Sequence, residues 1–161
     1  MPSLSHQFTL YLSLSRSFTL SLTLSHSLSS THKFLSDPDG YWIEVIRRSE
    51  KAKITNKYNF AQTMFRVKDP QKSLKFYTEI LGMILLSETH HSDFSLYFLA
   101  YASQNKMISE GIESGIMPDP KSIESKEFMK NMFGPVIELT HNHGTENDEN
   151  FKYVIRAISL Q

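Results

Sequence analysis

Residues 58–83 read YNFAQTMFRVKDPQKSLKFYTEILGM, and this stretch decides the fold. Phe60 to Val67 suits an extended strand, and its period of two puts Gln62, Met64 and Arg66 on one face. Asp69 is a good helix N-cap, and Pro70 falls at the first helical position, where its missing N–H costs nothing. Leu74, Tyr77 and Ile80/Leu81 then recur at helical spacing, and Gly82 supplies a stop. The stretch is therefore a strand, a tight cap and a helix packed back on the strand.

Downstream, Met83 to Ser87 suits a short strand and Phe94 to Ala102 (FSLYFLAYA) a stronger one. Residues 103–132 are polar, with a short helix predicted near Ile123 to Met132. Gly134 to Thr140 (GPVIELT) reads as the last strand. The order from Phe60 is β-α-β-β-β. Upstream, residues 33–48 read KFLSDPDGYWIEVIRR. Asp37-Pro38-Asp39-Gly40 is a turn signal between two strand-like flanks, so a hairpin is predicted. Residues 49–58 are charged and polar and read as a linker. The whole is an α+β chain with an antiparallel-rich sheet and helices on one side.

Residues 3–30 alternate Leu with Ser or Thr almost strictly. The pattern is open to three readings: an amphipathic strand, a Ser-rich targeting segment, or the translation of a CT-dinucleotide tract. The third is favoured, and so little variety predicts disorder over residues 1–32. The chain of 161 residues carries 17 basic and 17 acidic side chains, with no basic excess to suggest nucleic acid. No run approaches the ~18–20 apolar residues of a membrane span. Cysteine is absent, which excludes disulfides, thiolate metal sites and cysteine nucleophiles. Any metal would be held by oxygen or imidazole nitrogen, and the composition is compatible with a cytoplasmic protein.

Two residues stand out. Glu44 lies in Tyr41-Trp42-Ile43-Glu44-Val45 and Glu138 in Pro135-Val136-Ile137-Glu138-Leu139, each a lone Glu inside an apolar strand. Glu is depleted in strands. A desolvated carboxylate is paired, protonated or metal-bound; the plainer reading is an edge strand with Glu facing water. Gln62 is a third candidate, although a strand Gln is ordinarily a surface residue. His141 and His143 form an H-x-H pair whose ordinary reading is loop or edge histidines.

Four segments carry a family resemblance. YNFAQTMFRVKDPQKSLKFYTEILGM resembles the first strand and helix of the glyoxalase I (lactoylglutathione lyase) family. FSLYFLAY resembles its third strand, ELTHNHGTE its E-L-T-[HY]-N-x-G-T-E motif, and FLSDPDGYWIEV the motif that ends its second half-module. The resemblance implies the vicinal-oxygen-chelate architecture, in which βαβββ modules pair so that strands curve around a divalent metal, zinc most often and nickel in some members. It implies that Gln62, Glu138 and Glu44 are metal ligands. Glu44 and Glu138 would be the catalytic carboxylates, Glu44 matching the general base. Arg66 and Asn142 would contact glutathione, and Leu96 and Phe98 would line the apolar pocket for the substrate's small group. The implied substrate is the hemithioacetal of methylglyoxal and glutathione, isomerised to S-lactoylglutathione with the metal as Lewis acid.

The order of the blocks departs from a one-domain member, because DPDG-YWIE comes first. That order fits a tandem member: residues 33–48 as the closing hairpin of one half-module, 59–153 as a βαβββ module, and 154–161 as an atypical tail. The family's His ligand, in a G-[FY]-G-H-I block, and a later Y-H-N-G-N run have no counterpart. The expectation is thus an incomplete module, with an inactive fragment of the family as one reading, whose exposed sheet self-associates or forms a homodimer. The alternative function is a non-catalytic binding or resistance module of the wider superfamily.

Overall fold

The computed structural model describes residues 9–10, 20–21, 32–46, 60–132, 134–152 and 157–160. Its contacts divide into two units, Met1–Ser30 and Thr31–Gln161. In the first, β1 (Thr9–Leu10) pairs antiparallel with β2 (Leu20–Ser21). The disorder expected over 1–32 otherwise falls almost wholly outside the described residues, as does the linker expected at 49–58.

The second unit opens with the predicted hairpin, β3 (His32–Ser36) and β4 (Trp42–Ile46). Asp37 forms its turn: the carboxylate Oδ1 accepts from the amides of Asp39 at 2.9 Å and Tyr41 at 2.8 Å. Gly40 takes φ 83°, a conformation that residues with a Cβ rarely adopt. Next come β5 (Phe60–Arg66) and α1 (Pro70–Lys75). Asp69 caps α1, accepting from the amide of Lys72 at 3.2 Å. The helix continues as a wide π turn over Phe76–Ile80, closed by the Leu81 amide on the Phe76 carbonyl at 3.1 Å. Gly82 follows at φ 69°. β6 (Ile84–His90) and β7 (Phe94–Ala100) form a second hairpin, longer at the β6 end than the predicted Met83–Ser87 strand. Then come α2 (Lys106–Glu113), α3 (Ile123–Asn131), β8 (Val136–Asn142) and β9 (Ala157–Leu160).

The strands form one sheet in the order β3-β4-β9-β5-β8-β7-β6. β5 runs parallel to β8 and β4 parallel to β9; the other pairs are antiparallel. The α+β class and the βαβββ order hold over β5 to β8. Within the tail, Ala157–Leu160 is a strand inside the sheet. One expectation is corrected. The helices are not confined to one side. Leu74 and Tyr77 from α1 and its π turn pack on Val67, Tyr97, Leu99 and Leu139. Ile108 of α2 and Phe128 of α3 pack on Leu86, Ala100 and Val136, at one end of the opposite face. α2 escaped the sequence reading because its charged residues mask an apolar edge of Met107, Ile108 and Ile112; Ile108 is fully buried.

Candidate functional site

Parallel pairing of β5 with β8 sets Met64 opposite Glu138 and Arg66 opposite Thr140. Antiparallel pairing of β8 with β7 sets Phe98 opposite Glu138, Leu96 opposite Thr140 and Phe94 opposite Asn142. Paired residues share a face, so Gln62, Arg66, Glu138, Asn142, Leu96 and Phe98 lie on one side of three adjacent strands.

The contacts follow this register. Gln62, 8% exposed, donates through Nε2 to Glu138 Oε2 at 2.5 Å. Thr140 Oγ1 donates to the other carboxylate oxygen of Glu138 at 3.2 Å. Burial makes these bonds consequential, because a desolvated amide or carboxylate without partners is costly. Farther along the same face, Arg66 Nη1 donates to Asn142 Oδ1 at 3.0 Å, with both residues exposed. The end of β8 is held near this pair by Thr145, whose hydroxyl donates to the carbonyls of Lys68 at 3.0 Å and Asn142 at 2.8 Å. Half-buried Leu96 and Phe98 form the apolar flank.

Glu44 is half-buried in β4 and stands opposite Ser159 of β9, which in turn stands opposite Gln62 of β5. Glu44 is thus in the same row as Gln62 but two strands away. Six sequence candidates share one tight face, and Glu44 reaches it only through β9. Sequence reasoning missed Thr140, which the period of two from Glu138 would have found, and Ser159, hidden in the four-residue run Ala-Ile-Ser-Leu.

His141 and His143 take the plainer reading. The His141 ring bonds Glu146 Oε2 at 2.8 Å through Nε2, and His143 Nε2 bonds Ser95 Oγ at 2.8 Å. Both lie away from the Glu138 face, since His141 pairs with Ser95 in the register. His90 ends β6 and joins Ser95 Oγ at 2.8 Å to Glu88 at 2.5 Å. Bonds from its own backbone amide, then from His141, hold the Glu146 carboxyl below its usual value. Burial pushes the Tyr97 hydroxyl above its usual value.

The donors on the Glu138 face are an amide and a carboxylate, with a second carboxylate in the row. That chemistry suits a borderline divalent cation such as zinc or nickel. Among the described residues no three His, Cys, Asp or Glu side chains gather in the manner of a metal site. A centre here would therefore draw one of its donors from the Gln62 amide. No helix among the described residues is long and apolar enough to cross a membrane.

Residues 59–160 match the model of the Glyoxalase/Bleomycin resistance protein/Dioxygenase superfamily, and the chain belongs to that superfamily. Within it the chain is similar to proteins of one kind. It is 41% identical over 128 residues to Glyoxalase I of Saccharomyces cerevisiae, covering 74% of this chain and 32% of that protein. It is 39% identical over 121 residues to Lactoylglutathione lyase of Schizosaccharomyces pombe, covering 71% of this chain and 32% of that protein. A solved glyoxalase I from Zea mays aligns with TM-score 0.46 and 26% identity, covering 79% of this chain and 33% of that one. The chain spans about a third of the length of these relatives.

Proposed function

We propose that the chain contributes to a lactoylglutathione lyase (glyoxalase I) centre, isomerising the hemithioacetal of methylglyoxal and glutathione to S-lactoylglutathione in the cytoplasm. The observation that carries the reading is the contact of Gln62 with Glu138, made across 76 residues of sequence beside the Arg66–Asn142 pair. The similarity to proteins named for that activity supports it.

In this reading Gln62, Glu138 and Glu44 hold one divalent cation, zinc in first place. Bound there, the cation supplies Lewis-acid polarisation of substrate oxygens. Glu44 and Glu138 exchange the proton between the two carbons of the hemithioacetal, Glu44 as the base. Thr140 orients Glu138 by occupying one carboxylate oxygen, which leaves the other toward Gln62. Arg66 and Asn142 bind the charged and amide ends of glutathione; the planar guanidinium suits a carboxylate. Leu96 and Phe98 receive the methyl group and keep water from the reacting carbons. A homodimer pairing through the sheet belongs to the same proposal.

The test is metal content and hemithioacetal isomerisation on purified protein, before and after zinc or nickel. The expected result is bound metal and turnover that Glu44→Gln abolishes and Glu138→Gln strips of metal. Metal without turnover would instead support a non-catalytic binding member of the superfamily. Neither metal nor turnover would sink the proposal.

A further inference from the structure

Among the described residues, β4 pairs with β3 and β9, and β5 pairs with β9 and β8. No ladder joins β4 to β5 directly, so the hairpin carrying Glu44 reaches the Gln62–Glu138 face through β9. The two ladders of β9 run through the same residues, and Ser159 pairs with Glu44 on one side and with Gln62 on the other. Glu44, Ser159 and Gln62 thus form one row across three strands. At the usual strand spacing the row ends are roughly 9–10 Å apart.

The composition of β9 suits this place. Ala157 and Ser159, the two small residues, fall in rows with Met64 and Gln62. Ile158 pairs with Thr63 and Ile43, in rows of the opposite face. By alternation along the strand, Ser159 and Ile158 belong to rows of opposite faces. Register matters, because a slip of one residue moves every member of a strand to the other face. A one-residue slip in either ladder of β9 would send Glu44 to the side opposite Glu138.

We infer that β9 is the positioning strand of the site, setting both the distance and the face of Glu44 relative to Gln62, with Ser159 as the hydroxyl residue centred in that row. What the row binds rests on the function proposed above; the insertion of the strand and its register do not.

The chain has no cysteine, so engineered pairs report unambiguously. A disulfide needs Cα atoms within about 7 Å, which adjacent strands meet and strands two apart do not. In the full chain, Ile158→Cys is expected to oxidise within one molecule to Thr63→Cys and, separately, to Ile43→Cys. Ile43→Cys with Thr63→Cys is expected to stay reduced. These pairs leave Glu44, Ser159 and Gln62 untouched. Ser159→Cys is expected to bridge to Gln62→Cys in preference to Thr63→Cys, which tests the register. A bridge between positions 43 and 63, or no intramolecular bridge from position 158, overturns the inference. A reversed preference of Ser159→Cys overturns the register. Zinc and nickel binding and turnover measured on the unsubstituted protein separate the two readings: bridges formed with neither metal nor turnover would remove the proposed function and leave the strand's role standing.

Discussion

The two halves of the candidate row are held in different ways. Gln62 and Glu138 sit on β5 and β8, which hydrogen-bond to each other over five registered pairs. Beneath them lies a core containing Leu99 and Leu139, each fully buried. Glu44 sits on a hairpin that is partly open: Phe34 is 59% exposed and Tyr41 is 50% exposed. Its route to the site is the four-residue strand β9. A side chain on a flanked pair of strands is positioned by the sheet itself. A side chain on an edge hairpin is positioned by whichever strand joins that hairpin to the rest. The carboxylate expected to act as base is therefore the one whose position is more easily lost.

The strongest way to break that contrast is through the core. Leu139→Ala is expected to cost about 2–5 kcal/mol, because a buried cavity opens under the Gln62–Glu138 pair. Val45→Ala in the half-buried hairpin should cost clearly less. Denaturant unfolding of both variants checks this, and equal losses would erase the distinction. Glu138→Leu leaves the Gln62 amide and the Thr140 hydroxyl without their acceptor, and about 1–3 kcal/mol is expected to be lost. Glu44→Leu should cost less, read in the same unfolding experiment.

Ile158→Pro sharpens the comparison instead. Proline cannot donate to a ladder and is excluded from central strands. The variant is expected to lower the hydrogen-exchange protection of β4, whose first residue, Trp42, pairs with Ala157. The Gln62–Glu138 face should survive, and its amide protection in hydrogen exchange is the control. Loss of protection at both places would mean that β9 supports the whole sheet rather than the hairpin.

The smallest effects lie at the periphery. Asp69→Ala removes the α1 cap and is expected to lower the unfolding midpoint slightly. The Asp69 carboxyl is held below its usual value, first by the Lys72 amide and then by the Lys72 side chain. A depressed carboxyl contributes stability that is present above its unfolded value, about pH 4. That contribution is lost as pH falls through the lower folded value. The acid limb of a stability profile should therefore flatten in Asp69→Ala; an unchanged limb would show that the cap carries no linkage.

Much of this was legible in residues 58–83, since the period-two run before Asp69-Pro70 and the period near 3.6 after it are local signals. The hairpin turn was legible because Asp37 and Gly40 act within four residues of each other. The face shared by Gln62 and Arg66 follows from alternation, and that of Glu138 and Asn142 likewise. α2 was obscured by charge. β9 was obscured because four residues carry no periodic signal, and both of its partners lie about a hundred residues or more away in the chain.

The sequence by itself determined the strand-cap-helix start of the module, the DPDG turn, the oxygen and nitrogen chemistry of any metal site, and the pairing of Gln62 with Arg66 on one face and of Glu138 with Asn142 on another. Each follows from neighbours within a few residues, where backbone sterics and side-chain period act directly. Only the tertiary structure decided that those two faces are the same face, that Thr140 takes one oxygen of Glu138, and that β9 stands between Glu44 and Gln62. Those facts depend on which strands pair and in what register, and register is chosen by burial across the whole sheet, a property that no short stretch of chain contains.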